Sequence, residues 1–237
     1  MKINGTLSLF SDIIRYNLKI IFANKFIYFF LAAVGLYLLI ITINILDPDA
    51  YPDEASVFYI LLIPGLLLIF YPTAFGIQND LDTRMMEMLV GIPNYRYKIW
   101  LVRLVIIYLL VYILLLLLSM FSILSLVSVP VFSMAFQLMF PIFFFGMLTF
   151  MLSTYIRNGN GTAALVAIVG LFFFITSGIF EHSKWNIFLN PFQMPSDLDD
   201  DIWREIIFYN RVYLLTGSVI AILIGLFRLQ NREKLVS

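Results

Sequence analysis

The chain has 237 residues, 62% of them hydrophobic and 13% charged, with a mean hydropathy of +0.95. This composition lies outside the range of water-soluble domains and indicates a membrane protein. Fifteen basic and 15 acidic residues cancel, which gives no global attraction to nucleic acid, and the lack of cysteine excludes disulfides, thiolate nucleophiles and Cys-ligated metal.

The first 25 residues contain no short apolar core followed by a small-residue cleavage site, so they read as retained rather than as a removable signal. Over residues 7–24, Ser8, Asp12, Arg15 and Lys19 recur at spacings of three and four, while Phe10, Ile13, Ile14, Leu18 and Ile21 fill the opposite stripe. That pattern predicts an interfacial helix lying flat on the cytoplasmic leaflet before the chain enters the membrane.

A membrane span needs about 20 mainly apolar residues, because the hydrocarbon core is roughly 30 Å thick and each helical residue rises about 1.5 Å. Six runs qualify: 26–46, 57–76, 99–129, 131–156, 162–180 and 209–227. The expected fold class is therefore an all-α membrane protein with six transmembrane helices and no soluble domain. The third run is longer than a span needs and stops at Pro130, which predicts tilt. Arg211 and Arg228 flank the sixth, and both are expected to snorkel.

Charge sets the predicted orientation. Of the 15 Lys and Arg residues only Lys184, Arg204 and Arg211 fall on one side of the spans, and the other twelve fall on the side that holds both termini. The acids run the other way, with Asp12, Asp80, Asp82, Glu87 and Glu233 on the basic side and the remaining ten opposite. The positive-inside rule then places both termini in the cytoplasm.

Two connections are long enough to carry structure of their own. In the inner one, "NDLDTRMMEMLVGIPNYRYK", Leu81, Met85, Met88 and Leu89 share a helical stripe, and Asp80–Arg84 and Arg84–Glu87 pair on another face. Asn79 or Asp80 can cap the start, and Gly91 with Pro93 stops the helix, which predicts a short cytoplasmic amphipathic helix over 80–91. A helix this short is marginal in water and must pack against something.

The outer connection, 181–208, contains Trp185, Ile187, Phe188, Phe192, Ile202, Trp203, Ile206 and Ile207. It is too apolar for a loop bathed in water, and two short helices dipping into the outer leaflet are expected. A calcium site from Asp197, Asp199, Asp200 and Asp201 lacks the spacing of an EF-hand. Ser183, His182 and a nearby acid show neither the order nor the elbow of a hydrolase.

The stretch "DTRMMEMLVGIPNYRYKIWLVRLV", with its acidic start, Arg84, Glu87, Leu89, Pro93 and a basic patch running into a span, resembles the coupling-helix region of type 2 ABC transporter permeases. The chain is also similar to that family in size, six spans, a cytoplasmic amphipathic first helix, and a long last outer loop with "NPF" at Asn190–Phe192. Arg84 and Met85 stand where members commonly have Gly-Thr.

The resemblance implies an exporter permease in a bacterial inner membrane. It implies that 80–91 is a coupling helix seated on a separate ABC ATPase subunit, which would bind ATP and Mg, and that a second copy or paralogue of the permease completes the pathway. Contact residues implied for the ATPase are Asp80, Asp82, Arg84, Glu87, Met88, Leu89, Pro93, Arg96 and Lys98. The chain has no Gly-x-x-x-x-Gly-Lys-Ser/Thr loop, so it is expected to bind no nucleotide and catalyse no reaction itself.

Within the predicted spans there is no Asp, Glu or Lys, which argues against ion-coupled carriage. Gln137, Asn44, Ser119 and Ser122 are the candidate pathway residues. A lining otherwise aromatic and aliphatic suits a hydrophobic or amphipathic cargo. A non-transporting anchor or sensor subunit of a cytoplasmic ATPase complex is the alternative compatible with the same features.

Overall fold

The structure, a computed structural model, describes residues 26–47, 49, 51–82, 95–156 and 158–230. Six helices follow one another: α1 (Phe26–Leu46), α2 (Glu54–Asp82), α3 (Tyr95–Ser125), α4 (Val131–Tyr155), α5 (Gly159–Ser177) and α6 (Asp200–Gln230). The described residues contain no strand, and all six helices are long and apolar enough to cross a membrane. Short connections make successive helices antiparallel. One end of the bundle therefore collects the acid-rich connections around Asp53 and Asp200 and the uncharged turn at Pro130, and the other collects the start of α1, the end of α2, the start of α3, the α4–α5 connection and the end of α6. We call these the acidic and the basic end.

Two helices form the centre. α2 packs against α1, α3, α4 and α5, and α4 packs against α2, α3, α5 and, most extensively, α6. Of the most apolar window of α2, 72% is buried inside the protein, against 17% for α1 and for α5. Small residues set this closeness. A side chain at Gly146 on α4 would run into the Tyr108 hydroxyl and Ile69, and one at Gly65 on α2 would run into Ile142. Lipid tails are as apolar as leucine, so membrane helices associate through such close packing rather than through hydrophobic exclusion.

The helix ends explain where hydropathy misplaced the spans. α1 matches its predicted bounds, and it stops at Asp47, whose N–H still bonds to the Ile43 carbonyl before the chain turns. α2 starts three residues earlier than predicted, because Asp53 caps it: its carboxylate accepts from the Ser56 N–H at 2.8 Å and the Ser56 hydroxyl at 2.6 Å. It also runs six residues further, to Asp82, because Gln78 and Asp80 find partners on neighbouring helices (below). Two internal prolines, Pro64 and Pro72, do not end it. Beside Pro72 the Thr73 hydroxyl donates to the Ile69 carbonyl of its own helix at 2.6 Å.

α3 closes at Ser125 rather than at Val129, since the N–H groups of Leu126 and Val127 both turn back to the Ser122 carbonyl. α4 follows its prediction to within one residue. α5 lies three residues earlier than expected, with its first turn capped by the Asn158 side chain on the Asn160 N–H and its last carbonyls taken by turns at Ile179 and Phe180.

The outer connection corrects the expectation of two short dipping helices over 181–208. Residues 178–199 are a chain of turns, and Ile202, Trp203, Ile206 and Ile207 belong to the first turns of α6 itself. The reason is local. The Asn186 and Asn190 carbonyl oxygens accept from the N–H groups of Phe188 and Phe192, both at 3.0 Å, and two prolines follow. Such side-chain bonds compete with helix formation. Part of the apolar content packs on the bundle: Phe188 is buried and stacks on Phe145 with centroids 5.4 Å apart, and Phe192 meets Phe58 at 6.2 Å, whereas Trp185 and Ile202 are exposed. The predicted interfacial helix (7–24) lies outside the described residues, as does the predicted coupling helix from residue 83 onward.

Candidate functional site

At the basic end, α2 and α3, which flank the charged segment in sequence, are fastened to each other. Asp80, in the last turn of α2, receives Arg103 Nη1 at 3.0 Å on each carboxylate oxygen. The two side chains are 4% and 5% exposed. The expectation that Asp80 faces the ATPase partner is therefore corrected: it is buried against α3. Arg103 does not reach toward water, because a carboxylate one helix away offers a closer partner. Its guanidinium also lies 4.6 Å over the Trp100 ring, which packs against Phe150 of α4 at 5.6 Å and lies close against Gly76 of α2. Trp100 Nε1 and Arg103 Nε have no acceptor among the described residues.

A second tie holds the same end of α2. The Gln78 side-chain oxygen accepts the Gly159 N–H, so the first turn of α5 is seated on α2. Gly159 has no room for a side chain there, because Phe75 and Gln78 occupy the space. Asn79 donates to the Tyr71 hydroxyl at 3.5 Å. The last two turns of α2 are thus held by α3 and α5 together.

The other residues implied for partner contact are distributed as follows. Arg84, Glu87, Met88, Leu89 and Pro93 lie outside the described residues. Asp82 is the last residue of α2, and Arg96 and Lys98 fall in the first turn of α3. Their side chains lie outside the described set.

The pathway candidates resolve mostly into packing groups. Asn44 donates to the Ile40 carbonyl of its own helix at 2.9 Å. Ser122 bonds to the Tyr37 hydroxyl at 2.7 Å, which also donates to the Leu118 carbonyl at 2.7 Å, a polar node joining α1 to α3. Ser119 is fully buried with no partner among the described residues. Gln137 is engaged by a cation: Arg211 Nε donates to its oxygen at 2.8 Å.

Arg211 is the centre of a polar cluster at the acidic end that hydropathy could not show. It is 5% exposed, correcting the expectation that it snorkels. Its Nη1 donates to Asn210 Oδ1 at 2.8 Å, its Nη2 to the Leu189 carbonyl at 3.3 Å, and it lies 5.2 Å over the Phe140 ring. All three acceptors are neutral, and no carboxylate of the described residues pairs with it. Asn210 Nδ2 in turn donates to the Lys184 and Asn186 carbonyls at 3.0 and 2.7 Å, and Asn190 Nδ2 reaches the Ala55 carbonyl at the start of α2 at 2.9 Å. Trp203 Nε1 donates to the Pro191 carbonyl at 3.3 Å. These bonds pin the turns of 184–191 to α2, α4 and α6.

A signal for both arginines was present in the sequence. A charge within or beside an apolar run is a functional or structural site by default, and its partner should be sought on the neighbouring helix before solvent. Among the described residues no three His, Cys, Asp or Glu side chains are grouped to hold a metal ion. Asp199, Asp200 and Asp201 instead open α6, where negative charge is favoured by the helix dipole, and His182 lies edge-on to Trp203 at 6.4 Å.

Compared with known proteins, no family model matches the chain, and neither a curated protein nor a solved structure matches it.

Proposed function

We propose that this chain is the membrane-spanning permease subunit of an ATP-driven exporter of the type 2 ABC class, and that it moves a hydrophobic or amphipathic substrate outward. Hydrolysis takes place in a separate ATPase subunit, and a second permease copy or paralogue completes the pathway in a bacterial inner membrane. One observation carries the proposal. The two helices that flank the charged segment in sequence, the central α2 and its neighbour α3, are joined by a buried Asp80–Arg103 clasp. A displacement of the end of α2 is therefore shared with α3, which is what coupling through a surface helix between them requires. Arg84 and Glu87 are the polar contacts in this reading, with Met88 and Leu89 as apolar anchors.

The test uses the natural absence of cysteine. Single cysteines at Arg84 and Glu87, in an otherwise unchanged chain, should cross-link to an ATP-hydrolysing subunit in native membranes. Reconstitution of that complex should show ATP-driven movement of a fluorescent amphiphile, lost on Glu87→Lys. Cross-linking without ATP-dependent movement supports the anchor reading, and labelling of both cysteines only from outside intact cells removes the coupling assignment.

A further inference from the structure

The connection between α5 and α6 turns back on itself and leaves an open cleft of about 690 Å³ at the acidic end. Its lining includes the apolar Ile179, Phe180 and Ile206, of which Ile179 is 78% exposed. The same lining includes Glu181 and Lys184, three residues apart and of opposite charge, with His182 and Ser183 between them. Glu181 and Lys184 line one cleft without making an ion pair with each other. Lys184 Nζ instead lies 5.7 Å over the Tyr209 ring.

Their spacing is held from behind. The Ser183 N–H bonds to the Phe180 carbonyl at 2.9 Å, the Asn186 N–H to the Ser183 carbonyl at 3.0 Å, and the Asn186 side chain to the Glu181 carbonyl at 3.4 Å. Buried Asn210, itself fixed by Arg211, holds the Lys184 carbonyl. The two charges are thus presented on a braced backbone, and a ligand that matches them need not order the turn on binding.

Beside the cleft, exposed Trp185 stacks flat on Tyr213, with centroids 4.5 Å apart and planes 4° from parallel, in line with Tyr209. Amphipathic rings of this kind concentrate at the level of lipid headgroups. A cleft lined by apolar side chains, one cation and one anion that do not pair with each other favours a ligand carrying both charges. Glu181 repels a simple anion, Lys184 repels a simple cation, and the apolar side chains give a soluble headgroup nothing to bury.

We propose that this cleft binds a zwitterionic amphiphile, with a phosphate on Lys184, an ammonium on Glu181 and its acyl chain along Ile179, Phe180 and Ile206. The claim that such a molecule is the exported substrate rests on the transport reading above, whereas the binding itself does not.

The test is binding to the purified full-length chain in maltoside micelles, without ATP or partner, using a short-chain phosphatidylethanolamine as probe. Comparison probes are the matching phosphatidylglycerol, diacylglycerol, soluble glycerophosphoethanolamine and inorganic phosphate. Saturable binding is expected for phosphatidylethanolamine, weaker by about tenfold for phosphatidylglycerol, the loss of one charged contact. Lys184→Gln should weaken the first by about tenfold as well. Glu181→Gln should abolish the preference between the two lipids. The exchange Glu181→Lys with Lys184→Glu should restore binding, because a zwitterion can turn round.

Equal binding of both lipids, indifference to both substitutions, or inorganic phosphate binding as tightly as the lipid each overturns the proposal. Glycerophosphoethanolamine binding as tightly as the lipid overturns the acyl-chain part and assigns the site to a soluble headgroup. Lipid binding as described, with no ATP-driven movement in the reconstituted complex, removes the export reading and leaves the site standing. Movement of amphiphiles without this binding removes the site alone.

Discussion

Breaking the Asp80–Arg103 clasp is the sharpest perturbation the structure offers. Both carboxylate oxygens sit 3.0 Å from one guanidinium nitrogen, and the side chains are almost wholly buried. At an effective dielectric of about 20, the gross attraction at that distance is about 5 to 6 kcal/mol, and the desolvation of two ions offsets most of it. Replacing both residues is therefore mild, while replacing one strands the other as an uncompensated buried charge. Asp80→Asn and Arg103→Gln should each cost about 3–5 kcal/mol. The double substitution should cost much less than their sum, with a coupling energy of at least about 2 kcal/mol, near the upper end for contacting pairs. Reversible unfolding of the four proteins in mixed micelles gives the cycle. If the single effects add to within about 0.5 kcal/mol, the two groups do not interact, and α2 and α3 are not clasped at the basic end.

Three further outcomes follow from packing, capping and the buried arginine. Gly146→Ala should destabilise by about 1–3 kcal/mol, because its methyl group would strike Ile69 and the Tyr108 hydroxyl; Tyr108→Phe should restore part of this in the same unfolding assay. Gly35→Ala on α1, where nothing lies within 4 Å, should instead be neutral or stabilising by up to about 1 kcal/mol. The two bonds from Ser56 hold the Asp53 carboxyl below its ordinary value. A depressed folded-state pKa contributes stability that is present above the unfolded-state pKa near 4 and is lost as pH falls through the folded-state value. The protection of amides at the start of α2, taken relative to the intrinsic exchange rate at each pH, should therefore fall on acidification below about pH 4, and Asp53→Ala should give the same fall at neutral pH, at a cost of about 1 kcal/mol. Arg211→Lys cannot reproduce three donors in one plane to Gln137, Asn210 and Leu189, so amide protection across 184–192 should fall while that of α3 is unchanged.

Six helices, their order and the bounds of α1 were legible in the sequence because the signal for a span is additive: about 20 apolar residues suffice wherever their neighbours lie. The extended end of α2 rests on distant partners, whereas the other shifted ends follow local caps and turns. Gln78 and Asp80 look like the polar margin of a span, and they stay helical because Gly159 and Arg103, 81 and 23 residues further along the chain, satisfy them. Hydropathy scores a residue alone, so a polar group with a distant partner is scored as if it faced water. The same blindness placed Arg211 at a snorkelling margin and Gln137 in a pathway, when each is the other's partner. In the outer connection Phe188 and Trp203 are buried against the bundle, while Trp185 and Ile202 are exposed. The conformation of that connection was not legible, because two asparagines that cap backbone N–H groups carry no periodic signal.

The two buried arginines occupy opposite ends of the bundle, and their settings differ in a way that bears on what each end can do. Arg103 has a carboxylate, and that carboxylate belongs to the helix leading directly into the charged segment. A displacement of the segment therefore acts on a charged contact, whose energy changes steeply with separation at low dielectric. Arg211 has only neutral acceptors, drawn from α4, its own helix and the Leu189 turn. Any one of these can let go at the cost of a hydrogen bond rather than of an unpaired charge. The acidic end is thus the more readily rearranged of the two. α2 and α4 connect them: Asp80 and Ala55 anchor the two ends of α2, and Gln137 and Phe150 those of α4. Between those anchors α2 and α4 meet through glycines with no space to spare. Packed elements of that kind move as bodies and do not absorb strain gradually. Movement imposed at the clasp should then appear at the turns around Asn186 and Asn190, where the bonds are neutral, before it appears within the bundle.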